Sequence, residues 1–297
     1  MPELPEVESI RRSLEPTLRG SRVTSVDLRR ADIAHDEHDR TPSPEALLQG
    51  ATIDRLERKG KQLAIVSSDG RVLVVHLGMS GNLRLLEQYG GEVDLPPHTH
   101  AVWSLKSSSG PATLFFRDPR RFGGLTTLSS LAALSARWQE LGPDALTVAA
   151  ASLAERLKGT RAIKAALLDQ SVIAGVGNIY ADEALFLAGI HPKRRVSSLR
   201  PSEIARLVDS IQSVLEASIQ AGGTTMRDYA DAAGRPGGFQ KAHNVYARAG
   251  RPCVACGASL RAILLAQRTT TYCPTCQPVR TPIGRGFHTR STLQSGE

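Results

Sequence analysis

The 297-residue chain is long for one domain, and its 41% hydrophobic content can supply more than one core. Lys and Arg number 37 against 29 Asp and Glu, a net charge of +8 with a pI near 9.6, which suits a polyanionic partner such as nucleic acid. There is no apolar run of about 18 residues and no apolar signal core behind the acidic start, so no membrane partner, no secretory leader and a cytoplasmic setting are expected.

Val7, Ile10, Leu14 and Leu18 recur at helical spacing, so residues 5–19 read as an amphipathic helix closed by Gly20. The period then changes to two. Residues 23–30, 52–58, 62–67, 71–77, 82–86, 100–106, 113–117 and 125–128 read as short strands, several of them separated by glycine turns. Strands this short and this frequent predict a β-sandwich or barrel-like sheet pair, with the polar stretch 32–44 as a loop.

After residue 129 the pattern becomes helical. Leu131, Leu134, Trp138 and Leu141 share a face up to Gly142-Pro143, and shorter helical stretches follow at 153–157 and 163–168. Ile204, Leu207, Val208, Ile211, Val214, Leu215 and Ile219 form the longest stripe, closed by Gly222-Gly223, so a separate α domain is expected over 140–225. Residues 225–250 lack periodicity and read as a mobile loop, and the polar, basic tail after Pro278 reads as disordered.

Six residues at the start, Met1-Pro2-Glu3-Leu4-Pro5-Glu6, have two readings. They form a good helix start, with Pro in the first turn and acids at the positive end of the dipole. They also describe a nucleophile. Once Met1 is removed, Pro2 is a free secondary amine, and α-amino groups titrate at roughly 7.7–8.0, so part is unprotonated at neutral pH. Such an amine can attack a sugar carbon and form an iminium, an electron sink, with Glu3 beside it to move protons. A retained Met1 turns the Pro2 nitrogen into an amide and abolishes this chemistry, so Met1 is predicted to be cleaved.

Cys253-x-x-Cys256 and Cys273-x-x-Cys276, 16 residues apart, are the chain's four cysteines. The spacing fits one tetrahedral zinc ion with a closed, structural thiolate shell rather than a disulfide framework. Gly175-Val176-Gly177-Asn178 lies between helical stretches, where glycines admit a close backbone approach and the following helix N-terminus favours a phosphate; read alone the segment is first of all a plain tight turn. Asp118-Pro119-Arg120-Arg121-Phe122-Gly123 puts two guanidiniums and an aromatic on a turn. That suits base edges and a stacked wedge, or a surface turn with Asp118 paired to an Arg. Met79 between turn glycines, Lys59 and Lys61 around Gly60, and His98 and His100 after Pro96-Pro97 are further candidates.

MPELPEVE, HLGMSG, DPRRFG, GVGNIYADE, GGTT and the paired knuckles, in this order, resemble one family over residues 1 to about 277: the bacterial formamidopyrimidine-DNA glycosylases of base-excision repair. The related endonuclease VIII branch starts with Pro-Glu-Gly-Pro, so Leu4 favours the formamidopyrimidine branch. The resemblance implies an α+β multidomain fold: an N-terminal β-sandwich catalytic domain with an N-terminal helix (1–130), a helix–two-turn–helix DNA-binding domain with a lesion-lid loop (131–243), a four-cysteine zinc β-hairpin (244–278) and a disordered tail (279–297). It implies Pro2 as the Schiff-base nucleophile on the deoxyribose C1′, Glu3 as proton donor, and Lys61, rather than Lys59, assisting β-elimination. Arg268 grips phosphates and assists δ-elimination. Met79, Arg120 and Phe122 fill the space left by the extruded base, with Arg120 on the orphaned cytosine. His98, Lys164 and Asn178 are DNA contacts, as is Arg161, displaced by one position from the family's usual basic residue. Thr99 stands where the family often has Asp.

The activity implied is a bifunctional glycosylase and apurinic/apyrimidinic lyase for oxidised purines. The implied cofactor is one structural zinc ion, and the implied partner is double-stranded DNA containing oxidised bases or abasic sites. Nothing calls for an oligomer, so a monomer is expected. The rivals are a glycosylase for oxidised pyrimidines and a zinc-hairpin DNA-binding protein without catalysis.

Overall fold

The computed structural model describes residues 2–87, 94–226 and 229–279. The chain opens with α1 (Leu4–Leu18), which has Pro5 in its first turn, where the missing N–H costs nothing. Its stripe Val7, Ile10, Leu14 and Leu18 closes the core of a β-sandwich, while Leu4, at its N-terminus, belongs to the core of the helical part. The helix that follows Pro2 therefore bridges two hydrophobic cores.

One sheet has the order β1 (Arg22–Leu28), β7 (Thr99–Ser107), β8 (Gly110–Arg117), β6 (Asn82–Glu87). The other runs β2 (Ala34–Asp36), β9 (Gly124–Leu128), β5 (Val72–His76), β4 (Gln62–Ser67), β3 (Ile53–Lys59). Leu63, Ile65, Leu73 and Val75 meet Leu83, Trp103, Leu114 and Phe116 between the sheets. The alternate residues Ala64, Val66, Val72 and Val74 lie under Leu134 of α2 (Leu131–Gln139), so the central strands are buried on both faces. Two expectations are corrected. The 32–44 loop contains a strand, β2, paired in parallel with β9. The helical run starting at 131 packs on the sandwich rather than with the later helices.

α3 (Ala150–Arg156), α4 (Ile163–Leu167), α5 (Asn178–Leu187) and α6 (Pro201–Gln220) form the helical part around Leu153, Leu167, Leu185, Leu207 and Leu215. The predicted stripe of α6 is its buried face. The stretch expected to be a mobile loop is largely docked. Tyr229 and Ala232 enter the sandwich core, Phe239 enters the helical core, and Leu85 N–H donates to Ala232 O at 3.0 Å.

β10 (Arg261–Leu265) and β11 (Arg268–Tyr272) make a hairpin whose two-residue tip, Ala266-Gln267, has both residues left-handed, at φ 48° and 56°. That is the turn that matches strand twist. The tail predicted to be disordered lies, beyond Val279, outside the described residues.

Candidate active site and nucleic-acid interface

The start of the chain is inserted into the loop before α5. Leu4 N–H donates to Gly175 O at 3.1 Å. The Glu3 carboxylate, 2% exposed, accepts from the N–H groups of Gly177 at 2.7 Å and Ile179 at 2.9 Å. It thereby caps α5, whose free N–H groups and dipole favour an anion. The two glycines are explained by what they admit. A Cβ on Gly175, which has φ +113°, would lie 2.4 Å from Leu4 Cδ1, and one on Gly177 would lie 2.3 Å from Glu3 Cδ. Of the two readings of this segment the structure shows a tight turn whose close approach is filled by the chain's own N-terminus.

Glu6 was not singled out by sequence reasoning, yet it is the hub beneath Glu3. Its buried carboxylate accepts from Tyr180 Oη, from Thr224 N–H at 2.7 Å and from Glu3 N–H at 2.8 Å. Burial and the nearby Glu3 charge raise its pKa, and the hydrogen bonds only partly offset this. The Tyr180 hydroxyl also bonds Ser218 Oγ at 2.6 Å, and burial holds its pKa well above the ordinary value. Glu6 three residues after a helix N-cap was the one local signal; its other partners lie far away in the chain.

Lys61 follows the tight turn at Gly60. The Asp144 carboxylate accepts Gly60 N–H at 2.8 Å, and Arg58, paired with Asp144 at 2.6 Å and Glu8 at 3.0 Å, donates to Gly60 O at 3.0 Å. A Cβ on Gly60 would lie 3.0 Å from Gly175 N, so this turn rests on the loop that receives Leu4. Burial lowers the pKa of Lys61, Glu3 and Glu6 oppose the shift, and Arg268 adds to it. These four charges thus form one electrostatic cluster. Lys59 is committed elsewhere, donating to Trp138 O at 2.6 Å.

Arg268 stands at the exposed hairpin tip. The hairpin docks on α5: Asn178 Nδ2 donates to Thr269 O at 3.2 Å, and Thr271 N–H donates to Asp182 at 2.9 Å. The expectation for Lys164 is corrected. It is fully buried, with Nζ 2.6 Å from Asp182 Oδ1 and 2.7 Å from Thr270 Oγ1, so it faces no solvent from which a phosphate could approach. Burial lowers its pKa and raises that of Asp182 to about 6. Glu183, next to Asp182, accepts the N–H groups of Asn244, Val245 and Tyr246 at 2.8–2.9 Å, fastening the entry to the cysteine module.

A second group forms where two loops interleave. Gly78 has φ +60°, and a Cβ there would lie 2.3 Å from the Phe122 carbonyl. Asp118 is fully buried and accepts from Ser80 Oγ at 2.5 Å and Gly123 N–H at 2.7 Å, so it organises the turn instead of pairing with an Arg side chain. Met79 and Phe122 are 42% and 56% exposed. The Arg120 guanidinium sits over the Phe122 ring at 5.1 Å and reaches Met79 Sδ at 3.8 Å. An exposed apolar pair bridged by a cation is suited to entering a base stack. His98 is exposed and left-handed, at φ 68°, and its carbonyl accepts Asp118 N–H at 3.1 Å. Arg161 is 40% exposed and paired with Asp169 at 2.9 Å.

The Sγ atoms of Cys253, Cys256, Cys273 and Cys276 all lie within 4.8 Å of one another, with separations of 3.9 Å for 253–276 and 3.5 Å for 256–273. Thiolates about 2.3 Å from a shared tetrahedral zinc stand about 3.8 Å apart, so the four fit one structural zinc ion. The small core beneath them, Phe186, Val245, Leu260 and the cysteines themselves, is too small to fold unaided.

This frame and this site define a DNA-repair glycosylase. Residues 1–125 match the formamidopyrimidine-DNA glycosylase N-terminal domain, 141–230 the H2TH domain of the same enzymes, and 250–279 the zinc finger found in FPG and IleRS. The chain is 42% identical over 286 residues to the formamidopyrimidine-DNA glycosylase of Alkalilimnicola ehrlichii, covering 93% of this chain and 100% of that one. It is 43% identical over 284 residues to that of Pseudomonas aeruginosa (strain LESB58), with coverage of 93% and 100%. Among solved structures, a mutant Fpg of Lactococcus lactis in complex with Fapy-dG containing DNA superposes with a TM-score of 0.81 at 34% identity, covering 93% of this chain and 100% of that one. MutM (Fpg) of Thermus thermophilus gives 0.78 at 40% identity, covering 93% and 98%. The chain belongs to the formamidopyrimidine-DNA glycosylase family. No helix among the described residues is long and apolar enough to cross a membrane.

Proposed function

We propose that the chain removes oxidised purines, 8-oxoguanine and formamidopyrimidines, from duplex DNA and then nicks the strand through a Pro2 Schiff base, acting as a cytoplasmic enzyme. The observation that carries this reading is the Glu3 carboxylate, buried beside Pro2 and fixed by α5, with Lys61 and Arg268 in the same electrostatic cluster. A lesion inside a duplex is unreachable, so it is extruded at a cost of a few kcal/mol. Met79 and Phe122 replace lost stacking and Arg120 meets the orphaned base.

Glu3 accepts the Pro2 proton, and the freed nitrogen attacks C1′. The glycosidic electron pair leaves with the base, which takes up a proton relayed by Glu3. The Pro2 nitrogen then gives up its remaining proton, the C1′–O4′ bond breaks with O4′ leaving as a hydroxyl that takes a proton, and the iminium so formed between Pro2 and C1′ acidifies the neighbouring C2′ proton. Its loss expels the 3′ phosphate, and a second elimination expels the 5′ phosphate. Lys61 and Arg268 hold the phosphates during these steps. The zinc supplies no chemistry beyond holding the hairpin.

Borohydride trapping tests the scheme on an 8-oxoguanine duplex and, in parallel, an oxidised-pyrimidine duplex. Wild type is expected to form a covalent adduct, preferentially with the first, and Pro2→Gly to form none. No adduct with either duplex would leave only a zinc-hairpin DNA-binding protein.

A further inference from the structure

Lys164 has no part in the reaction scheme, yet its burial demands a cause. A lysine with no exposed surface, paired to an aspartate that is itself 1% exposed, is costly to desolvate. A buried ion pair of this kind is weak evidence for stability; its best-attested use is to fix one arrangement over others. What it fixes here is visible in its third partner. Lys164 lies on α4 and Asp182 on α5, but Thr270 belongs to β11. Nζ donates to Thr270 Oγ1 at 2.7 Å and approaches Thr269 O at 3.5 Å, while the second Asp182 oxygen accepts Thr271 N–H at 2.9 Å. Three consecutive residues of β11 are therefore held by one buried charge pair. The residue before them is Arg268, whose positive charge is felt by both Lys164 and Lys61.

We propose that Lys164 is a positioning residue. Through Thr270 and Asp182 it sets the distance of the hairpin tip from the helical part, and so places Arg268 over the phosphate that leaves in the second elimination. The inference rests on the proposed function, in which Arg268 holds that phosphate. The latch acts on a late step, because Pro2, Glu3 and Lys61 are fixed by other contacts, through Gly175, Gly177 and Gly60.

The test uses the full-length zinc-loaded enzyme and a preformed abasic-site duplex. Thr270→Val keeps the buried shape and the Lys164–Asp182 pair and removes the hydroxyl link from Lys164 to the hairpin, leaving the Asp182–Thr271 bond in place; Thr270→Ser restores a hydroxyl. The β- and δ-elimination products are resolved in single-turnover reactions, with borohydride trapping, zinc content and amide hydrogen exchange over 268–272 measured alongside. The δ step is expected to slow about tenfold or more in Thr270→Val, since small misplacements of a positioned group cost this much. Trapping should stay near wild type, and Thr270→Ser should recover the δ step. Lys164→Met should show a larger loss of the same kind. An unchanged δ rate with faster exchange at 268–272 would overturn the proposal, as would a parallel loss of trapping and δ cleavage in a zinc-loaded variant. Failure of wild type to trap would instead sink the Pro2 scheme. Exchange at Thr271 would then still report on the latch, and no difference between wild type and Thr270→Val would refute it.

Discussion

The Glu3 carboxylate occupies the space that a side chain on residue 177 would need. Glu3 accepts Gly177 N–H at 2.7 Å, and a Cβ on residue 177 would lie 2.3 Å from Glu3 Cδ. The acid cannot hold this position beside any other residue type. Gly177→Ala is therefore expected to displace Glu3 while leaving the helical core in place. Adduct formation should fall by about a hundredfold, the scale of a misplaced catalytic group. Circular dichroism and zinc content should match wild type. An alanine variant that traps DNA at the wild-type rate would show that Glu3 does not need this seat.

Tyr180 joins Glu6 to Ser218 and Thr224 through one hydroxyl. Tyr180→Phe leaves a buried carboxylate short of a donor and a buried serine short of a partner. An unsatisfied buried polar group costs about 1–3 kcal/mol, so the melting temperature should drop by several degrees. The same change loosens Glu6, which holds the Glu3 N–H, so excision should slow as well. Scanning calorimetry and single-turnover excision together check both effects.

How far these relationships could be read from the sequence depended on their range. Periodicity located α1, α6 and most of the strands because burial on one face leaves a local pattern. β2 escaped because three residues, Ala34–Asp36, are too few to show alternation. The short motifs located Pro2, Glu3, the wedge loops and the cysteines. They left the partner of Gly175 and Gly177 open, because a glycine reports a close approach without saying what approaches. Lys164 misled for a related reason: a lysine reads as a surface group until its partners, 18 and 106 residues away, are placed around it. The Glu6 hub was invisible because Thr224 lies 218 residues downstream.

Exposure separates the wedge from the rest of the site. Met79, Arg120 and Phe122 project from loops whose glycines and Asp118 are fixed independently of these side chains. Phe122→Ala should thus leave stability unchanged. Base–aromatic stacking is worth about 1–3 kcal/mol, so excision of a lesion paired in a duplex should fall about ten- to a hundredfold. Cleavage of a preformed abasic site, which has no damaged base to extrude, should fall less. Equal losses on both substrates would argue against a role in extrusion.

Chelation provides a different separation. The hairpin depends on its four thiolates, whereas the sandwich and helical cores do not include them. Removing zinc should unfold the whole hairpin and with it this face's grip on the DNA, not merely shift Arg268, so binding and cleavage should both be lost, yet most far-ultraviolet ellipticity should persist. Restored zinc should restore cleavage. Complete unfolding on chelation would show that the cores depend on the hairpin.

Acid should weaken the join between α1 and the Lys61 turn before it weakens either core. Burial alone would raise the Glu8 carboxyl, but Arg11 and Arg12, with Arg58 behind them, bring it down to about 2 from 4.5. A carboxyl depressed in the folded state adds stability above its unfolded pKa and loses it as pH falls through the folded value, here between about 4.5 and 2. Because the arginines are partly solvated, the contribution is about 1–2 kcal/mol rather than the full value of the shift. Glu8→Gln should lower stability at pH 7 by that amount and flatten the acid limb of the stability curve over the same window. Since Glu8 also holds Arg58, which donates to Gly60 O, the variant should loosen the Lys61 turn and slow β-elimination. Denaturant titrations at pH 7 and pH 3 would settle the point: parallel curves for wild type and Glu8→Gln would mean that Glu8 does not carry this acid sensitivity.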